Sequence, residues 1–168
     1  SPRGAGNTTW LATFRDLATA HVHVANRVFA DLGSGKRLTV CPTVYWGTGT
    51  EPYLVSLGQG TDPRIDLFWT GRAICSATLD LADAATFERT TNRPVTYWDN
   101  YPVNDVAMCY ELHIGPYRGR DPHLWRASTG IIANGMELFE SSKIPFATIA
   151  DYLRAPEAYD PEESWQQA

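Results

Sequence analysis

The chain has 168 residues, 43% of them apolar and 20% charged, with a net charge of −5. That length suits one ordinary domain with a sizeable core, and the composition excludes a disordered chain. The acidic balance, with no Lys/Arg cluster, excludes a nucleic-acid binder, and no apolar run reaches the ~20 residues that cross a bilayer.

Residues 7–32 read as one amphipathic helix, with Trp10, Phe14, Leu17, His21, Val24, Val28 and Leu32 at three- and four-residue steps. Asn7 is the expected N-cap, Gly33-Ser34-Gly35 the stop, and His21 a core histidine on the apolar stripe. A short buried strand follows at 38–41, closed by Pro42, then an aromatic, glycine-containing loop and a short helix near 53–57. Residues 65–69 give a second strand ending on Thr70-Gly71, and 80–91 the next helix. Asn92-Arg93-Pro94 leads into the third strand, "VTYW" at 95–98. Beyond the loop "GPYRGRDP", residues 131–133 make a very short strand ending on Asn134. "SSKIPFATIADYL" is a helix capped by Ser141 or Ser142, and "YDPEESWQQA" gives a helix start at Asp160 and Pro161 with almost no helix after it.

Each strand is a continuous apolar run, as expected of parallel strands buried on both faces. Alternating β and α elements mean an α/β domain, either an open doubly wound sheet or part of a (β/α)8 barrel. No G-x-G-x-x-G or Walker motif favours a nucleotide-binding sheet, and no cofactor is expected. Every strand instead ends on polar or aromatic residues, which is how a barrel builds a site. Four strands do not close a barrel of eight, so the chain looks cut at both ends. It reads as one partial domain over 1–168, with the open strand edges inviting a dimer. Cys41, Cys75 and Cys109 are too few and scattered for a disulfide framework or a zinc site, and no metal is expected. "SPRGAGNTT" has no signal-peptide core, and a soluble chain is expected, secreted or cytoplasmic.

At the strand ends, Tyr45, Trp69 and Trp98 can lay an aromatic face on a sugar ring, while Asn100, Asp105 and Asn134 bind its hydroxyls. With no Arg or Lys beside them, a pyranose fits better than an anion. The alternative is core packing for the tryptophans and turn capping for Asp99 and Asp105. An acid/base pair drawn from Asp99, Asp105 and Glu137 is a further alternative, although Glu137 sits at a helix start, where acids are common. His113 and His123 have no Ser or Cys partner in a nucleophile motif, and spacing alone yields no catalytic dyad.

Five segments occur in order: "CPTVYWG", "IDLFWTGRAICS", "YWDNYPVND", "LHIGPY" and "GIIANGMELFESSKIPFATIADYL". Together they resemble the β-N-acetylglucosaminidases of glycoside hydrolase family 84, which include bacterial hyaluronidases and enzymes that remove O-linked N-acetylglucosamine from proteins. The resemblance covers about 37–165 and implies a (β/α)8 barrel of which this chain supplies strands five to eight. It implies a retaining enzyme whose substrate acts through its own acetamido carbonyl and an oxazoline. The substrate would be an N-acetylglucosamine-bearing glycan or glycoprotein. The resemblance sets Cys41, Tyr45, Thr70, Ile74, Trp98 and Asn100 around the acetamido pocket, with Tyr45 bonding the acetamido group and Trp98 walling its methyl. Asp105 would accept from O4 and O6, and Asn134 would bind a neighbouring hydroxyl. The family's adjacent catalytic aspartates are expected upstream of the first helix, where this chain has "SPRGAGNTT", so no catalytic residue lies within it. Gly135 also departs from the proline common after the asparagine. Two readings follow: a fragment of a working hexosaminidase, inactive alone, or a non-catalytic remnant or half-barrel that binds N-acetylglucosamine.

Overall fold

The computed structural model describes residues 13–168. Strands β1 (Thr39–Val40), β2 (Asp66–Trp69), β3 (Val95–Asp99) and β4 (Ser128–Ala133) form one parallel sheet in the order β1-β2-β3-β4. Helices α1 (Leu17–Asp31), α2 (Pro52–Gly60), α3 (Leu81–Thr91), α4 (Phe139–Arg154) and α5 (Pro161–Gln167) accompany it. Parallel neighbours require crossovers, which α2 and α3 supply between the first three strands. An irregular stretch with 3₁₀ turns at Val106–Met108 and Leu124–Arg126 joins β3 to β4. The architecture is α/β and consistent with part of a (β/α)8 barrel. No helix among the described residues is long and apolar enough to cross a membrane.

Strand periodicity divides the side chains between two faces. Leu67, Trp69, Val95 and Tyr97 point to the helices and pack, fully buried, with Leu54, Leu57, Ala84 and Phe87. Burying each large apolar side chain there contributes roughly 1.5–3 kcal/mol. The alternate residues do not meet a second packed layer: Phe68 and Trp98 wall a cavity, and Ile132 is half exposed. Burial on both faces is therefore overturned for β4 and at Trp98 of β3, whose Thr96 remains buried on that face, although the runs are continuously apolar.

Several boundaries differ from the sequence reading for identifiable reasons. The chain bends at residues 14–16, and α1 starts afresh because Asp16 caps it, accepting from Thr19 N–H at 2.8 Å. Asn7 and Trp10 lie outside the described residues. Leu17, Val24, Val28 and Leu32 of the expected stripe are exposed, while Ala18 and Ala25 are buried. Small residues let α1 approach α2 closely, so that a Cβ on Gly60 would meet Val22 at 2.8 Å. Strand β4 starts three residues earlier than read, because Thr96 pairs with Gly130 after a register shift and Thr129 bonds Thr96 at 2.6 Å. Helix α4 begins at Phe139, and Ser142 lies inside it, its hydroxyl accepting from Met136 N–H at 3.0 Å. The final segment is a seven-residue helix capped by Asp160.

Arg93, which the sequence offers only as a lead-in to β3, is buried beneath the sheet. Its guanidinium donates to the carbonyls of Gly58, Thr61, Asp62, Ile65 and Thr91. It thereby satisfies the end of α2 and the entry to β2 with one side chain.

Candidate functional site

The C-terminal ends of the four strands open onto a cavity of about 750 Å³. Its wall includes Cys41, Tyr45, Thr70, Ile74, Trp98, Asn100, Asp105 and Asn134, the eight residues that the resemblance singles out. Phe68, Cys75, Val103, Val106, Ala107 and Met108 complete it. Trp69 is elsewhere: one residue out of phase with Phe68, it stacks on Phe87 at 5.3 Å in the core. A cavity of similar volume, about 770 Å³, lies at the opposite strand ends, where Arg37–Asp66 and Arg64–Asp62 pairs already occupy most of its charge.

Each wall is held by its own backbone. Pro42 ends β1, and the Tyr45 carbonyl accepts from Thr70 N–H at 2.8 Å while Gly47 N–H donates to Gly71 at 2.9 Å. Glu51 organises the loop between them, accepting from Thr48 N–H at 2.6 Å. Burial raises the Glu51 pKa, but the loop N–H groups together outweigh it and hold the carboxyl below its ordinary value. Thr70 Oγ1 lies 2.7 Å from the Ala73 carbonyl, which shapes the segment carrying Ile74.

The amides form a short chain of bonds. Asn100 Oδ1 accepts from Trp98 Nε1 at 2.9 Å and from Asn134 Nδ2 at 3.1 Å, while Asn100 Nδ2 donates to the Ile74 carbonyl at 2.8 Å. Trp98 also meets Phe68 edge-on at 5.3 Å, so its indole is fixed by both packing and a hydrogen bond. By donor and acceptor count, Asn100 keeps one N–H for a ligand, and Asn134 keeps one N–H and its oxygen. Within the described residues, no hydrogen bond or ion pair reaches the Tyr45 hydroxyl or the exposed Asp105 carboxylate. An aromatic wall thus faces donors and acceptors that are not spent internally, a combination suited to a polyhydroxylated ring.

The carboxylates divide sharply. Among the described residues, Asp105 is the single Asp or Glu on the cavity wall, and Glu137 is not part of it. Asp99, an alternative acid/base or turn residue from the sequence, points the other way and is buried. Arg120 Nη2 and Nε bond its two oxygens at 2.5 and 2.9 Å, and the Tyr117 hydroxyl donates to it as well. Arg120 was not legible as a partner, because it lies 21 positions away in an irregular loop. It shows that a cation does accompany the strand end, but behind the sheet and neutralised. Burial pushes the thiols of Cys41 and Cys75 up, for Cys75 with the charges of Asp105 and Asp99 adding to it. Neither is a thiolate at neutral pH. Among the described residues, no group of three His, Cys, Asp or Glu is placed to hold a metal ion.

The loop bearing Asp105 is closed by His113. Its Nε2 meets Glu111 at 2.6 Å, its Nδ1 meets the Val103 carbonyl at 2.8 Å, and its ring stacks near Tyr101. The Glu111 bond, aided by the carbonyls, raises the His113 pKa despite partial burial. A raised folded-state pKa means the loop's extra stability is fully present below about pH 6.5 and is lost as pH rises through the raised value. Amide exchange of residues 103–113 is expected to accelerate across that window beyond its ordinary base-catalysed rise. His113→Gln is expected to remove that excess. An unchanged pH response in the variant contradicts the assignment.

Comparisons with known proteins address the fold and the family. The chain superposes on a mutant of the Thermobaculum terrenum O-GlcNAc hydrolase with a TM-score of 0.90 at 42% identity, covering 93% of this chain and 34% of that one. It superposes on CpGH84B with a TM-score of 0.81 at 29% identity, covering 89% and 28%. Among curated proteins it is 28% identical over 148 residues to the Protein O-GlcNAcase of Rattus norvegicus and, equally, of Mus musculus. It spans 84% of its own length in those matches but only 16% of theirs. Residues 5–168 match the family model described as beta-N-acetylglucosaminidase, and the chain belongs to that family, glycoside hydrolase family 84.

Proposed function

We propose that this chain forms the sugar- and acetamido-binding half of a retaining β-N-acetylglucosaminidase barrel, contributing strands five to eight. The observation that carries the reading is the convergence of Tyr45, Trp98, Asn100, Asp105 and Asn134 on one cavity at the strand ends. In this reading Trp98 walls the acetamido methyl, Tyr45 and Asn100 hold the acetamido group, and Asp105 accepts from two sugar hydroxyls. Held in place, the acetamido carbonyl is the nucleophile, and its attack on the anomeric carbon is favoured by proximity instead of by a protein carboxylate. A cavity wall with a single carboxylate supports that route over a two-carboxylate scheme drawn from this chain. The acid/base group then comes from outside the described residues, as do the strands that complete the barrel against β1 and β4.

The test is hydrolysis of 4-nitrophenyl N-acetyl-β-D-glucosaminide. The complete protein carrying this sequence is expected to turn it over with retention of anomeric configuration, and the 168-residue chain alone is not. Turnover by the chain alone overturns the acid/base assignment. Inversion of configuration overturns the acetamido mechanism. Absence of turnover in both, with N-acetylglucosamine still bound, favours the remnant reading.

A further inference from the structure

The buried pair Asp99–Arg120 lies outside the cavity yet links the strand end at Trp98 and Asn100 to the segment that follows Ile74. Asp99 sits between Trp98 and Asn100, and strand alternation sends its carboxylate to the helix side while its neighbours line the cavity. Its carbonyl accepts from Asn134 N–H at 2.8 Å, which fixes the end of β4. Arg120 forks onto both oxygens of Asp99 and spans to the Ala77 carbonyl at 3.3 Å, on the segment that follows Ile74. Tyr117 donates to Asp99 through its hydroxyl, and its own N–H donates to Thr148 of α4 at 3.0 Å. Close approach is built in, since a Cβ on Gly119 would lie 2.3 Å from the Ala77 oxygen.

Both charges are almost wholly inaccessible, with side-chain exposures of 6% for Arg120 and 3% for Asp99. A buried ion pair is poor value as a stabiliser, because apolar replacements of similar volume often do as well. What it supplies here is direction. A bidentate guanidinium–carboxylate pair fixes the plane and position of both partners, which an apolar contact does not.

We infer that Asp99 and Arg120 are positioning residues: their buried pair sets the spacing between the Ile74 carbonyl, Trp98, Asn100 and Asn134, and so determines which N-acyl group the cavity accepts. This rests on the proposed N-acetylglucosaminidase reading. The β3–β4 ladder already holds Trp98 and Asn134 in register, and the segment after Ile74 is tied to them by the Asn100 bonds on one side of the sheet and by this pair on the other. Without the pair, the Ile74 side of the cavity keeps its backbone ties but loses the directional side-chain tie that the pair makes across to β3, and a shift of fractions of an ångström there separates an acetyl slot from a propionyl slot.

The experiment compares kcat/KM for the N-acetyl and N-propionyl forms of one chromogenic glucosaminide in the complete protein. Their ratio is independent of how much enzyme is folded, so a purely structural role does not move it. Asp99→Asn leaves Arg120 buried without a counter-charge and is a folding risk, so the informative variant is Asp99→Asn combined with Arg120→Met, which removes both charges. That variant is expected to relax the acetyl preference about tenfold or more, and Tyr117→Phe, which keeps the pair, to relax it less. Arg120→Lys, which retains charge but not the fork, is expected to resemble the double variant. An unaltered ratio in the double variant, or full rescue by lysine, overturns the inference. A wild-type protein that hydrolyses neither substrate overturns the underlying reading and this inference with it.

Discussion

Asp105→Ala in the complete protein is expected to lower kcat/KM on an N-acetylglucosaminide by about a hundredfold or more while leaving the unfolding midpoint in place. The carboxylate lies on the cavity wall, exposed, without a hydrogen bond or ion pair inside the described residues. Two charge-assisted bonds to sugar hydroxyls, at about 1.5 kcal/mol or more each, account for that loss. Because no internal partner is orphaned, stability is expected to change by no more than about 0.5 kcal/mol. Asp105→Asn separates charge from shape: it preserves the volume but places donors where two acceptors are wanted, and is expected to lose nearly as much. Steady-state kinetics with a denaturant titration of each variant reads both quantities. Full activity in either variant removes Asp105 from the sugar site, and a large stability loss shows instead that it holds the loop.

The largest effect on folding is expected at Arg93. Five carbonyls from α2, the β2 entry and Thr91 converge on its guanidinium, whose carbon stem is buried with it. Burial lowers the Arg93 pKa, with the charges of Asp66 and Asp62 opposing the shift, yet a guanidinium stays protonated at any physiological pH. Arg93→Met keeps most of the volume and deprives all five acceptors at once. Some relax toward water at the sheet's lower rim, and the net cost is expected to be roughly 3–5 kcal/mol. Arg93→Lys restores one charge but reaches fewer carbonyls, so it is expected to fall in between. Urea unfolding followed by far-ultraviolet dichroism tests the order wild type, Lys, Met. Equal midpoints for Met and wild type contradict it.

The two residues illustrate what a sequence discloses. Each strand was legible, because apolar runs ending on Pro42, Gly71, Asn100 and Asn134 are local signals. Strand ends alone pointed to Tyr45, Trp98, Asn100, Asp105 and Asn134 on the cavity wall, and the resemblance added Cys41, Thr70 and Ile74. Arg93 and Arg120 were not legible, because a buried arginine and an exposed one look alike until the chain places carbonyls or a carboxylate around them. The α1 stripe misled for a related reason. Periodicity marks which face is apolar, whereas Ala18, Ala25 and Gly60 decide which face lies closest to a neighbour. Strand β4 was shortened in the reading because Gly130 and Ser128 lack strand character and flank Thr129, although the ladder with β3 overrides it.

The bonding state of Asn100 also governs what may sit on the sugar nitrogen under the proposed reading. Its oxygen is engaged twice and one N–H is committed to Ile74, which leaves the amide able to give a hydrogen bond but not to take one. An unacylated amino sugar carries an ammonium at neutral pH, which likewise can only give. At Asn100 donor then confronts donor, and an N–H left unmet there costs about 1–3 kcal/mol. Under that reading, the complete protein is expected to hydrolyse an N-acetylated glucosaminide in preference to its free-amine counterpart, which lacks both the acceptor that Asn100 needs and the acetamido nucleophile.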